Sequence, residues 1–212
     1  LHEPYRRQRQ MCIRDRLIQR IEVVSMENGL RYKEALQFAM EAHAGAFRKG
    51  TNIPYIEHAI ETSKIAAMMT DDEDIIIAAL LHDVIEDTDR TAADIEKHFG
   101  TRVARLVTLE SENKRRDCSA ESTWLIRKQE TIDHLKTAGH DVKLIALADK
   151  LSNMRLSLVR HRTEGDDMWK HFNEKSKDRQ AWYYRSIAEA TKEFADTALW
   201  KEYVHLCDEV FG

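Results

Sequence analysis

The chain has 212 residues, 42% hydrophobic and 33% charged, with a formal net charge of −4. That balance suits one folded domain, or one with an appendage, and excludes a disordered or fibrous chain. No apolar run reaches membrane-spanning length, and Cys12, Cys118 and Cys207 form no spaced framework, so the sequence reads as a cytoplasmic protein without disulfides or a cysteine-based zinc site.

In chain order, the first feature is "YRRQRQMCIRDR", Tyr5 to Arg16. It invites the reading of a basic nucleic-acid-binding arm. From Arg6 it also back-translates, without a break, into a string similar to a transposase-based sequencing adapter. We therefore read residues 1–16 as non-native and set them aside, with residues 17–25 as translated leader and Met26 as the native start. Without the five Arg and two acids of residues 1–16, 28 basic and 35 acidic residues remain, a net charge of −7. A globally acidic chain is a poor general nucleic-acid binder, so an anionic substrate would need a local basic patch or a metal.

The apolar spacing of Ala35, Leu36, Ala39 and Met40 predicts a helix over Arg31 to Phe47. "RKGTNIPYIEH" reads as a loop, punctuated by Gly50, Asn52 and Pro54. A second helix is expected over Ile60 to Met69. "TDDEDIIIAALLHDVIED" starts a third, capped by Thr70, Asp71 or Asp72, and its apolar middle makes it central. "DRTAADIEKHFG" predicts a short helix with a capping-box pair, Thr91 and Asp94, and a stop at Gly100. Val103 to Leu109 continues as helix, and a polar loop precedes helices over Trp124 to Leu135 and Val142 to Val159. "HRTEGDD" is expected to break the chain before helices from Met168, Ala181 and Thr197. No alternating strand stands out. The expected fold is all-α, with roughly ten helices.

The chemistry concentrates in "ALLHDVIEDT". On a helix His82 shares a face with Glu86, and Asp83 with Glu86 and Asp87. The adjacent His82 and Asp83 point about one hundred degrees apart and can still reach one ion. The plain alternative is a helix end fraying into acidic surface. Two other features weigh against it. His58 in "YIEHAI" precedes an apolar stripe, and Asp149 in "IALADKLSNMR" sits in an apolar helix with Asn153 four residues on. Each has a structural alternative, a core histidine for His58 and a buried Asp–Arg or Asp–Lys bridge for Asp149. Taken together, His58, His82, Asp83 and Asp149 form a mixed nitrogen and oxygen set suited to Mn²⁺, Fe²⁺ or Zn²⁺.

The order His, His-Asp, Asp resembles that of the HD-domain metal phosphohydrolases. Within them, "EAHAGAFRKGTNIPYIEHAIET", "AALLHDVIEDTDRTAADIEKHFG", "ENK" and "KLIALADKLSNMR" resemble, in order, the hydrolase domain of the RelA/SpoT family, most closely its stand-alone small alarmone hydrolases. The resemblance covers about Leu30 to Leu158. It implies an HD helical bundle over residues 26–165, with residues 166–212 as a C-terminal helical extension packed on the same domain. It implies hydrolysis of the 3′-pyrophosphate of the stringent-response alarmone (p)ppGpp to GDP or GTP and pyrophosphate, usually with Mn²⁺. Carried over residue by residue, His58, His82, Asp83 and Asp149 match metal ligands, and Glu86 and Asp87 the catalytic acids. Arg48, Lys49, Asn153 and Lys114 match substrate contacts, while Arg115 and Arg116 read as surface. Ala59, Leu156, Ala46 and Phe47 depart from common family residues without removing a ligand, which leaves base specificity open. Trp182, Tyr183 and Tyr184 read as core or interface. The partner implied is a small-molecule nucleotide, with no nucleic acid and no membrane; oligomeric state is not legible. The rival readings are an HD phosphohydrolase for another 3′-phosphorylated nucleotide or dinucleotide cofactor, and a non-catalytic nucleotide-binding HD protein.

Deleting residues 1–25 is expected to leave folding and activity unchanged in circular dichroism and turnover assays; a loss of either would show that the segment belongs to the working protein.

Overall fold

The computed structural model describes residues 29–115 and 117–212. The expected leader, Met26 and Arg116 lie outside the described residues. Among these residues there are ten α-helices and no named strand. They are α1 (Gly29–Ala42), α2 (Ile56–Ala67), α3 (Glu73–Leu81), α4 (Val84–Asp87), α5 (Ala92–Phe99), α6 (Thr101–Glu110), α7 (Trp124–Thr137), α8 (His140–Glu164), α9 (Lys177–Ala190) and α10 (Ala198–Phe211). The sequence segment from Met168 is not an α-helix but part of a 3₁₀ turn, Gly165–His171.

Helix α3 is the axis of the bundle. Every residue from Ile75 to Leu81 is buried, and the helix packs on α1, α2, α6 and α8. Burying each such Ile or Leu stabilises the fold by about 1.5–3 kcal/mol relative to exposure. Of the three candidate caps, Asp72 is the one in place: its carboxylate accepts from the Asp74 amide at 3.0 Å. Glu73 and Asp74 complement the positive end of the helix dipole. The Thr91–Asp94 capping box forms as expected at the start of α5.

Several boundaries differ from the sequence expectation: α1 stops at Ala42 rather than Phe47, and α9 begins at Lys177 rather than Ala181. Helix α2 begins at Ile56, four residues early, so His58 lies in its first turn rather than ahead of it. Helix α3 stops at Leu81, and His82 and Asp83 occupy a turn before the single-turn α4. The His82 ring N–H reaches the Ala79 carbonyl at 2.9 Å, competing with the amide that would extend the helix. Helix α8 runs through "HRTE" and ends only at Gly165, whose φ of +57° is open to glycine without strain.

The loop between α1 and α2 is pinned rather than loose. Arg48 N donates to Ile53 O at 2.8 Å, and Tyr55 N to Ala46 O at 2.9 Å. Gly50 turns it with a φ of +70°, and a side chain there would meet the Cβ and ring of His171 at 3.0 Å. The C-terminal elements close over the other flank: α10 packs on α8, and α9 on α7, α8 and α10. Tyr183 and Tyr184 are buried, in line with their reading as core.

Leu80→Ala is expected to cost about 2–5 kcal/mol in urea unfolding, because α3 cannot collapse around the gap. Thr91→Ala should cost about 1 kcal/mol, the usual loss of a cap. Equal costs at the two positions would contradict the central place of α3.

Candidate metal and phosphate site

Three chain segments bring His58, His82, Asp83 and Asp149 together. His58 comes from the start of α2, His82 and Asp83 from the turn after α3, and Asp149 from the buried face of α8. His82 Nε2 lies 2.8 Å from Asp83 Oδ2 and 3.7 Å from Asp149 Oδ1. His58 Nε2 lies 3.1 Å from Asp149 Oδ1 and 3.7 Å from Asp83 Oδ2. Donor atoms of His58, His82 and Asp149 all fall within 4.8 Å of one another.

The hydrogen bonds fix which nitrogen each imidazole offers. Ser152 Oγ donates its proton to Glu61 Oε2 at 2.8 Å, so it must accept from His58 Nδ1 at 2.9 Å. His82 Nδ1 donates to the Ala79 carbonyl at 2.9 Å. Both rings therefore turn Nε2 into the cluster. His82 Nε2 is buried and makes no well-directed hydrogen bond, although Asp83 Oδ2 lies 2.8 Å away. An orphaned ring nitrogen facing two carboxylates is what a divalent cation would satisfy, and its outer hydrogen bonds are those that orient metal-binding histidines.

The electrostatics agree with this. Burial pushes the His58 imidazole down, against Asp149, and favours the neutral ring. Burial also opposes protonation of His82, but Asp83 and Asp149 outweigh it and hold its pKa well above the usual value. Burial alone would raise Asp149; Lys150 and the two imidazoles overcome that and hold it well below the carboxylate range. Asp83 is held low in the same way by His82. Without a cation, a proton on His82 does part of the same compensation.

Beside the cluster lies a cavity of about 230 Å³ that reaches all the other expected site residues. Arg48 Nη2 donates to Asn153 Oδ1 at 2.6 Å, and Asn153 Nδ2 donates to Asp149 Oδ1 at 2.6 Å. Lys49 donates to the Asn173 side chain. Lys114 Nζ bridges Glu86 Oε1 and Asp87 Oδ1, each at 2.8 Å. Burial and Asp83 push the Glu86 carboxyl up, only partly offset by Lys114. The Glu112 amide donates to its other oxygen at 2.8 Å. Arg115 instead pairs with Glu130 at 2.6 Å, in keeping with the surface reading.

Several supporting residues were missed in the sequence. Tyr55 donates its hydroxyl to Asp83, and Ser152 with Glu61 holds His58. Lys150 pairs with Asp149, and Arg155 with Glu61 and Glu202, so the bridge once weighed for Asp149 is to its neighbour Lys150. Lys150 was within the quoted motif, but its adjacency in sequence hid the contact. His43 packs its ring against Tyr55 at 4.8 Å.

Ser152→Ala frees the His58 ring and should weaken divalent-metal affinity by about 10–100-fold. Because His82 holds its proton more tightly than a free imidazole, metal binding near neutral pH must displace it, so affinity should rise with pH. Titration calorimetry in buffers of different ionisation enthalpy reads that proton; its absence would contradict the arrangement.

Comparison with known proteins places the geometry in a family. The HD domain matches residues 35–175. The guanosine-3′,5′-bis(diphosphate) 3′-pyrophosphohydrolase MESH1 of Drosophila melanogaster is 39% identical over 128 residues, 59% of this chain and 68% of that protein. The human protein of the same name is 38% identical over 58% of this chain and 66% of its own length. The chain thus spans about two thirds of the length of the curated relatives it matches. A solved structure described as a metazoan ortholog of SpoT that hydrolyzes ppGpp superposes with a TM-score of 0.69 at 26% identity, covering 85% of this chain and 96% of that one. A Listeria monocytogenes EGD-e structure gives 0.64 at 31% identity, covering 73% and 98%. The buried cluster of His58, His82 and Asp149 could hold a divalent metal, and the chain belongs to the HD-domain family, of the RelA/SpoT hydrolase type.

Proposed function

We propose that the chain removes the 3′-pyrophosphate of (p)ppGpp, giving pyrophosphate and GDP or GTP. His58, His82, Asp83 and Asp149 would hold the ion, with Mn²⁺ as the working metal. The observation that carries this is the orphaned, buried Nε2 of His82 facing Asp83 and Asp149 at the edge of a cation-lined cavity. The relatives whose printed names specify this reaction support the choice of substrate.

A bound divalent cation supplies Lewis-acid charge neutralisation and a more acidic water. The protein's own groups do the rest. Hydrolysis moves a proton from the attacking water and delivers one to the departing ribose 3′-oxygen. Glu86, whose carboxyl burial and Asp83 push above its ordinary value, is placed at the cavity wall for that exchange. Lys114 holds Glu86 and Asp87 side by side and tempers the repulsion between them. Arg48 and Lys49 face the nucleotide and neutralise its phosphates through charge-assisted hydrogen bonds. Asn153 links Arg48 to Asp149, so the basic loop and the metal cluster are positioned as one unit.

Purified protein with Mn²⁺ is expected to release pyrophosphate from ppGpp, and a chelator should stop it. His82→Ala and Asp149→Ala should lose metal and activity together. Glu86→Gln should keep the metal but turn over about 10²–10⁴-fold more slowly. If ppGpp stays intact while other 3′-phosphonucleotides are cleaved, the substrate assignment fails.

A further inference from the structure

A second cavity, of about 220 Å³, opens off the first and runs toward α7 and α9. The two share the polar residues Lys49, Glu86, Lys114, Lys150 and Asn153 along their common wall, with the rings of Phe172 and Tyr184. We propose that this side cavity receives the distal phosphate of the substrate's 3′-pyrophosphate and then holds the pyrophosphate product, with Lys128 and Tyr183 as its selecting contacts. This rests on the reading of a 3′-pyrophosphate substrate given above.

The first observation is charge. Five cations line the cavity, Lys49, Lys114, Arg127, Lys128 and Lys150, and four carboxylates answer them: Glu86 and Asp87 on Lys114, Asp149 on Lys150, and Glu112. Arg127 Nη1 and Lys128 Nζ share the single Glu112 carboxylate, at 3.0 and 2.9 Å. Lys49 donates to the Asn173 side chain rather than to a carboxylate. A cleft with one cation in excess favours an anion.

The second observation is independent. The Tyr183 hydroxyl is buried without a hydrogen-bond partner, on a side chain 3% exposed that lines the same cavity. A buried hydroxyl left unpaired is costly, so a ligand oxygen that accepts from it would recover that loss.

The Trp124 and Tyr183 rings pack edge to face at 6.1 Å, and the Lys128 ammonium sits over the Tyr183 ring at 4.9 Å, so that end of the cavity offers polar atoms rather than a free ring face. Burial also presses the Lys128 ammonium toward losing its proton, a strain that an added anion would relieve. Position completes the case. A phosphate beside Asp83 and Lys114 has the nucleoside toward Arg48 on one side, which leaves the side cavity for what is attached on the other.

The test is calorimetric binding of inorganic pyrophosphate and of orthophosphate to the Mn²⁺-loaded full chain, with Tyr183→Phe and Lys128→Gln beside the unaltered protein. We expect each variant to lose about tenfold or more in pyrophosphate affinity, the worth of one hydrogen bond to a charged group, with a smaller change for orthophosphate. Product inhibition by pyrophosphate should weaken by the same factor. Tyr183→Phe removes one oxygen and decides the matter if Lys128→Gln does not fold. Unchanged pyrophosphate affinity in folded variants, or an equal fall for both anions, would overturn the subsite. No nucleotide is present in the titration. Lost pyrophosphate selectivity alongside intact ppGpp would therefore overturn the substrate reading and leave the subsite standing.

Discussion

Everything around the site follows from one constraint: two imidazoles and two carboxylates meet where the core of the bundle is driest. His58, His82 and Asp149 are each 5% exposed or less. Ionised groups in such a place are costly unless each is paired and hydrogen-bonded. Each donor accordingly has an outer partner: Ser152 on His58, the Ala79 carbonyl on His82, Tyr55 on Asp83, and Lys150 with Asn153 on Asp149. The Nε2 atoms of both rings are left to face the common centre, where Asp83 Oδ2 and Asp149 Oδ1 meet them while also accepting from Tyr55 and Asn153. The helices α2, α3 and α8 are packed on one another, which holds that centre while the basic loop and the acid pair work at its edge.

The same constraint accounts for the break after α3. The turn at His82 and Asp83 lets consecutive residues serve one centre, and α4 then sets Glu86 and Asp87 beside Lys114. The Glu112 amide and carboxylate extend this arrangement from Glu86 to Arg127 and Lys128, so the polar wall reaches α7 in an unbroken sequence of alternating charges.

Much of this was legible in the sequence, and the reasons are specific. The run "IIIAALL" is apolar all round and could only be a central helix. The mid-helix Asp149 in apolar surroundings required a partner. The spacing of His58, His82-Asp83 and Asp149 carried the family resemblance. Contacts that depend on side-chain reach between distant segments were not legible. Ser152 and Glu61 are 91 positions apart, and nothing in either neighbourhood marks the hydrogen bond that sets the His58 tautomer. Tyr183 reads as ordinary core, and it is buried; that it also lines the side cavity and has an unpartnered hydroxyl shows only in the structure. The early start of α2 and the long run of α8 were misplaced because polar residues near helix ends read as loop when the packing partner is unknown.

Anomalous diffraction at the manganese edge from crystals grown with Mn²⁺ tests the account most directly. The account predicts one strong peak between the Nε2 atoms of His58 and His82 and the carboxylates of Asp83 and Asp149, absent in Asp149→Ala. A peak elsewhere, or none at this cluster in a protein that still hydrolyses ppGpp, would contradict it.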